Sequence, residues 1–291
     1  MDNLRGAAIM VLAMLGFAVE DAIIKGLAQA MPVGQIIGFL GFGGALVFAI
    51  ICRAQGLALW DRAFLAPAIL LRNVAELLGT IGFVSAIALI PLSTASAILQ
   101  AGPLLVTLGA AVFLNEPVGW RRWAAILVGF SGVLLIIRPG TEGFNWLSLL
   151  AVHGVIGLAI RDLATRRVKA AVTSTQLSFM AFLMVIPGAA LLLALNGVAP
   201  VRPNMGQSGL LAAAVLIGAV SYYGITAAMR VGEISFVTPF RYTRMIFALI
   251  LAVTIFGEMP DALTLIGAAI IIGSGLYTLW REQRIKKAAR A

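Results

Sequence analysis

The chain has 291 residues, 61% of them hydrophobic and 11% charged, and a formal net charge of +9. Ordinary soluble domains carry roughly 45–50% apolar and 25% charged residues, so this composition and a mean hydropathy of +1.03 exclude a soluble globular protein. The single cysteine, Cys52, excludes an intrachain disulfide and a cysteine-based metal cluster.

The apolar residues come as long blocks, and a helix needs about 20 of them to cross a ~30 Å hydrocarbon layer. In chain order this predicts ten spans, at about 4–24, 33–51, 66–89, 92–114, 123–138, 146–165, 174–195, 209–229, 235–257 and 262–280. Turn chemistry separates them at Met31-Pro32, Trp60-Asp61, Pro91, Glu116-Pro117, Arg138-Pro139-Gly140, Asn196-Gly197 and Gly257-Glu258-Met259-Pro260. The first span carries Glu20, Asp21 and Lys25 where a cleavable leader would have small residues, so it reads as a retained helix. Short connections leave no room for a nucleotide-binding or soluble catalytic domain. The fold class is all-α and polytopic, with function carried out inside the bilayer.

Orientation follows from the basic residues, because cytoplasmic loops retain Lys and Arg. Of 21 Lys and Arg, 14 fall on the N-terminal side, among them Arg53, Arg62, Arg121, Arg122, Arg166, Arg167, Lys169 and the tail from Arg281 to Arg290. Lys25, Arg138 and Arg202 fall on the other side, and Arg72, Arg161, Arg241 and Arg244 fall within spans. Both termini are therefore expected in the cytoplasm of a bacterial inner-membrane protein. Orientation accounts for the high pI without nucleic acid, and for the basic tail without a specific lipid site. The expected partners are a small-molecule substrate and membrane lipid, with a monomer as the expected unit and no metal or cofactor.

Two halves of the chain, 1–140 and 141–291, resemble each other. Gly16, Asp21 and Lys25 pair with Gly157, Asp162 and Arg166; Gly82 with Gly224; Ser93 with Ser235; and Asn115-Glu116-Pro with Gly257-Glu258-Met-Pro. Each half then ends on a Gly-rich helix, with Gly129-Phe-Ser131-Gly132 and Gly273-Ser-Gly275. Five helices per half means that the second copy enters the membrane from the opposite face. Inverted repeats of this kind typify secondary transporters, which exchange inward-open and outward-open shapes around a midplane site. Small residues such as Gly34, Gly38, Gly79, Gly82, Gly129 and Gly132 allow helices to approach closely.

The duplicated Gly-x-x-x-x-Asp, the run from Pro103-Leu-Leu-Val-Thr to Leu-Asn-Glu116-Pro, and its partner ending Phe-Gly-Glu258 resemble the drug/metabolite transporter superfamily in its ten-helix, EamA-like exporter branch. The overall look is similar to bacterial amino-acid exporters, including aromatic amino-acid exporters. Nearly the whole chain is covered. In the second half Met245 stands at the position equivalent to Pro103, with Pro239 displaced by about two turns. The resemblance implies a cavity lined by helices one, three, four, six, eight and nine. That favours Gln100, Asn73, His153, Tyr222 and Tyr242 as substrate-facing residues over Gln176.

Ionisable groups within a span are costly and face a cavity or one another. Arg241 and Arg244 share one helix face at i,i+3, and a guanidinium at that depth suits a carboxylate or phosphate. Pairing with Glu76, Asp162 or helix-end carbonyls is the alternative. Arg72 and Glu76 are i,i+4 neighbours, either a structural pair or a site for a substrate ammonium or a coupling proton. Glu20 and Asp21, with Arg161 and Asp162 at the repeat-equivalent position, are candidates for gating or coupling together with Arg72 and Arg241; solvated helix ends are the alternative for the first four. His153, the lone histidine, is either a packing residue or a ligand.

The expected activity is export of amino acids or related small metabolites by alternating access, without enzymatic chemistry. A passive channel or facilitator is the first alternative. An intramembrane serine protease built on Ser131 and His153 is a weaker one, because Gly273-Ser-Gly275 repeats the serine motif with no histidine to serve it.

Overall fold

The computed structural model describes residues 2–114, 119–168, 172–232 and 234–288; within its helices the side chains at 226, 230, 234, 235, 282, 283 and 285–288 are not described. Asn115-Glu116-Pro117, Lys169, Arg290 and the side chain of Ser235 therefore lie outside the described residues. The described elements are helices: α1 (Asp2–Ala28), α2 (Val33–Ala54), α3 (Pro67–Leu89), α4 (Leu92–Leu99), α5 (Gly102–Phe113), α6 (Trp120–Ile137), α7 (Ser148–Thr165), α8 (Ser174–Asn196), α9 (Met205–Val231), α10 (Ile234–Val237), α11 (Thr243–Phe256) and α12 (Ala262–Ala288). Short 3-10 helices occupy Arg62–Leu65 and Thr238–Tyr242.

Ten stretches are long and apolar enough to cross a membrane, in the order and close to the bounds expected from the sequence. Two spans differ from that expectation in being interrupted. The fourth is built from α4 and α5, with Gln100 and Ala101 between them. Its cause is Pro103, which has no N–H for the Leu99 carbonyl one turn earlier. The ninth, its counterpart in the repeat alignment, passes from α10 through the 3-10 helix into α11, and Pro239 leaves the Ser235 carbonyl without its i+4 donor in the same way.

Contacts divide the chain into two compact units, each drawn from both halves of the sequence. One comprises Met1–Val19, Ile90–Leu149 and Val220–Ala291, and the other Glu20–Leu89 and Leu150–Ala219. In the first, α6 lies antiparallel to α12, and their backbones touch where side chains are missing. A Cβ on Gly132 would stand 2.7 Å from the Gly267 carbonyl oxygen, and one on Gly267 2.6 Å from that of Gly132. In the second, α2 runs along α8: Gly34 and Gly41 face its backbone, and Phe48 stacks on Phe182 with centroids 5.6 Å apart. In the same unit a Cβ on Gly157 would lie 2.6 Å from the Gly79 backbone, so α3 and α7 are in direct main-chain contact. With lipid no worse a solvent than a leucine side chain, such close van der Waals packing is what holds membrane helices together.

Loop hydrogen bonds join connections that an alternating path puts on one face. In the second unit Gln35 exchanges bonds with the main chain of Val201, at 2.7 and 2.9 Å, and Gln176 donates to the Ala58 carbonyl at 2.8 Å. In the first, Arg138 pairs with Asp261. Gln176 is also the N3 residue of a capping box with Thr173 that starts α8.

Candidate functional site

The two interrupted spans meet in the first unit. Gln100, where α4 stops, donates from Nε2 to the Tyr242 carbonyl at the end of the 3-10 helix, 3.1 Å away. Broken membrane helices are where transporters commonly expose backbone groups and side chains to substrate. Tyr242 is buried against α12, and a Cβ on Gly275 would overlap its hydroxyl. Neither that hydroxyl nor Ser96 Oγ, one turn before Gln100, finds a hydrogen-bond partner among the described residues, although both are buried. Buried polar groups are nearly always satisfied, so two orphans flanking one pair of helix breaks mark a polar spot in an apolar unit.

Arg244 stands in the first turn of α11, just past the ninth-span break. Its guanidinium lies 5.0 Å from the Phe17 ring centroid, a cation–π contact that orients the planar fork. Phe17, with Phe240, Phe247, Met229 and Ile225, packs onto a buried cluster of Met10, Ala13, Met14, Ala228 and Val237. Arg241 is half-buried within the 3-10 helix, and Tyr222 is half-buried on α9.

Glu258 has a role in this unit that its motif alone did not assign. Its carboxylate accepts the Leu92 N–H at 2.8 Å, the Ser93 N–H at 3.1 Å and the Ser93 hydroxyl at 3.0 Å, capping α4 from the loop after α11. Gly257 makes this possible by adopting a left-handed φ of 62°, which turns the chain at the end of α11. The signal in the sequence was a glutamate directly after a glycine that closes a span.

A second polar cluster belongs to the other unit. Arg161 Nη1 bonds Glu76 at 3.0 Å and Nη2 bonds Asp162 at 2.8 Å. Arg72 Nη2 lies 3.8 Å from Glu76, and its Nη1 donates to the Leu177 carbonyl at 3.0 Å and to Asn73 at 3.2 Å. Two cations and two carboxylates thus form a neutral network linking α3, α7 and α8. His153 packs against α3 two turns before Arg161 on α7, its Cδ2 2.7 Å from where a Gly82 Cβ would be. Asp21 is buried, at 3% exposure, because α1 runs on to Ala28 and leaves this residue two turns inside the helix instead of at its end. Glu20 rests its carboxylate on α9 where Gly218 has no side chain.

The structure therefore brings Gln100, Tyr242, Arg244 and Arg241 into one unit with Tyr222, and Arg72, Asn73, Glu76, Arg161, Asp162, His153, Glu20 and Asp21 into the other. Ser131 spends its hydroxyl on the Val128 carbonyl of its own helix, at 2.7 Å. Gly129 and Gly132 pack against Leu104, Ser274 and Gly267, whereas Gly273 faces open space, so of that second pair only Gly275 is a packing glycine. Among the described residues no group of three His, Cys, Asp or Glu could hold a metal.

A solved protein crystal structure has the same fold, with a TM-score of 0.67 at 20% identity over 97% of this chain and 98% of that one. Curated relatives include a riboflavin transporter of Rhizobium johnstonii, 28% identical over 96% of this chain and 92% of its own length. An S-adenosylmethionine uptake transporter of Rickettsia felis is 25% identical over 97% and 94%. The pseudopaline exporter CntI of Pseudomonas aeruginosa is 30% identical over 92% and 93%. The EamA-like transporter family matches twice, at residues 4–138 and 145–280. Ten spans, no extramembrane domain among the described residues and these two matches lead to one identification: the chain is a multi-pass membrane transporter that belongs to the EamA-like transporter family.

Proposed function

We propose that this transporter exports amino acids or related small carboxylate-bearing metabolites from the cytoplasm by alternating access, with both termini cytoplasmic and 1–140 and 141–291 as inverted repeats. The observation that carries the proposal is Arg244: a guanidinium beside a helix break within a span, its plane set by Phe17. A fork held in that way offers two parallel N–H bonds to a carboxylate, and the aromatic and methionine side chains of the cluster that Phe17 joins suit an apolar substrate side chain. Gln100 and the buried Tyr242 hydroxyl add neutral polar contacts at the same break.

In this proposal the network of Arg72, Glu76, Arg161 and Asp162 is the coupling element. Arg161 bridges two carboxylates, and protonating or engaging either one frees it for the other. The relatives are named for transport of riboflavin, uptake of S-adenosylmethionine and export of pseudopaline, three different small molecules. The test is an efflux screen over amino acids in proteoliposomes, with and without a pH gradient, comparing wild type with Arg244→Gln. Flux of a carboxylate substrate lost in the folded variant supports the site. Wild-type flux in the variant removes Arg244 from it.

A further inference from the structure

One surface groove of the first unit is formed by α6 and α12. α6 and α12 are in backbone contact at Gly132 and Gly267, but toward Trp120 they enclose a groove of about 380 Å³ lined by Trp120, Arg121, Ala124, Ala125, Val128, Ser274 and Tyr277. It continues into a second hollow of about 290 Å³, lined by Gly119, Trp120, Arg121, Arg122 and Arg281. One end is thus an apolar trough floored by two alanines, with Val128 and Tyr277 exposed along it. The other is lined by three guanidinium groups, those of Arg121, Arg122 and Arg281. Arg121 stacks on Trp120 at 5.3 Å, and Trp280 and Arg284 form a similar pair, at 4.5 Å, just beyond.

We infer that this groove binds an anionic glycerophospholipid, with its phosphate on Arg121, Arg122 and Arg281 and an acyl chain along Ala124, Val128 and Tyr277. Trp and Tyr sit at the level of lipid headgroups, where their amphipathic rings are most stable. Arginines converging beside that belt offer bidentate bonds to phosphate oxygens. Orienting the spans requires positive charge near their ends; it does not require three guanidiniums to line one hollow continuous with an apolar trough. A soluble anion would use the polar end alone, whereas a phospholipid uses both.

The experiment is native mass spectrometry of the purified full-length chain with phosphatidylglycerol and, separately, phosphatidylcholine of the same chain length. Wild type is expected to retain phosphatidylglycerol preferentially. Arg121→Gln/Arg122→Gln/Arg281→Gln should weaken it at least about tenfold, since each interfacial cation contributes to anionic-lipid binding. Ala124→Trp, which fills the trough with every arginine in place, should also release it and keeps the test intact if the triple variant does not fold. Arg284→Gln/Lys286→Gln/Lys287→Gln removes the same charge from the tail and should leave the bound lipid. Equal retention of phosphatidylcholine, a tail variant as weak as the triple one, unchanged binding in Ala124→Trp, or displacement by inorganic phosphate would each overturn the site.

Discussion

Replacing Glu258 by alanine should be among the most destabilising single changes outside the packed helix contacts. The carboxylate accepts three bonds, from the Leu92 N–H, the Ser93 N–H and the Ser93 hydroxyl, and both residues are almost wholly buried, at 0% and 1% exposure. Each bond to a charged acceptor contributes roughly 1.5–3 kcal/mol. A lost N-cap in a water-accessible setting costs about 1 kcal/mol. Glu258 sits at a span end where water recovers part of the loss, so the expected cost is about 2–4 kcal/mol. Glu258→Gln keeps one carbonyl acceptor and loses the charge, for about 1 kcal/mol. Thermal unfolding in micelles should therefore order the proteins as wild type, Glu258→Gln, Glu258→Ala. The exposed Glu142→Ala serves as the control, expected within about 0.5 kcal/mol of wild type. An alanine variant as stable as that control, or a glutamine variant as damaged as alanine, would refute the capping account.

Three further outcomes follow from named contacts. Gly275→Ala should destabilise by about 1–3 kcal/mol through overlap with the Tyr242 hydroxyl, and adding Tyr242→Phe should restore most of it, both read from thermal unfolding. Arg161→Gln leaves Asp162 without its bridging cation and Glu76 with only the longer contact to Arg72; a cost of about 3–5 kcal/mol is expected, largely recovered in Arg161→Gln/Asp162→Asn/Glu76→Gln. Hydrogen bonds from Arg138 and from the Thr264 N–H hold the Asp261 carboxyl below its ordinary value of 3.8. A depressed folded-state pKa gives stability that is present above the unfolded value and lost as pH falls through the folded one. The gap in apparent Tm between wild type and Asp261→Asn should therefore be small but measurable at pH 7 and close progressively below about pH 4. A gap that persists at pH 2 contradicts the assignment.

The spans were legible because each is a block of apolar residues bounded by proline, glycine or charge, and lipid imposes one length on them. The interruptions were legible only in part. Pro103 and Pro239 stand in the sequence for anyone to read, yet that Gln100 joins the two breaks requires knowing that position 242 lies beside position 100. The Arg72 and Glu76 pairing follows from i,i+4 spacing alone. Its extension through Arg161 to Asp162, and Arg72's bond to Leu177, depend on α3, α7 and α8 coming together, which no local pattern encodes. Asp21 was expected near a helix end, and its burial reflects a helix that continues through the buried Ile24 and Leu27 to Ala28. The acidic motif at Glu258 was visible, but its function depends on an amide 166 residues away.

The central claim is a carrier with its carboxylate site at Arg244, and counterflow in proteoliposomes tests it most directly. Vesicles loaded with an unlabelled amino acid that proves to be a substrate should accelerate uptake of the labelled one, and Arg244→Gln should abolish both uptake and acceleration. Flux that does not respond to substrate on the far side, or an Arg244→Gln variant that exchanges like wild type, would contradict it.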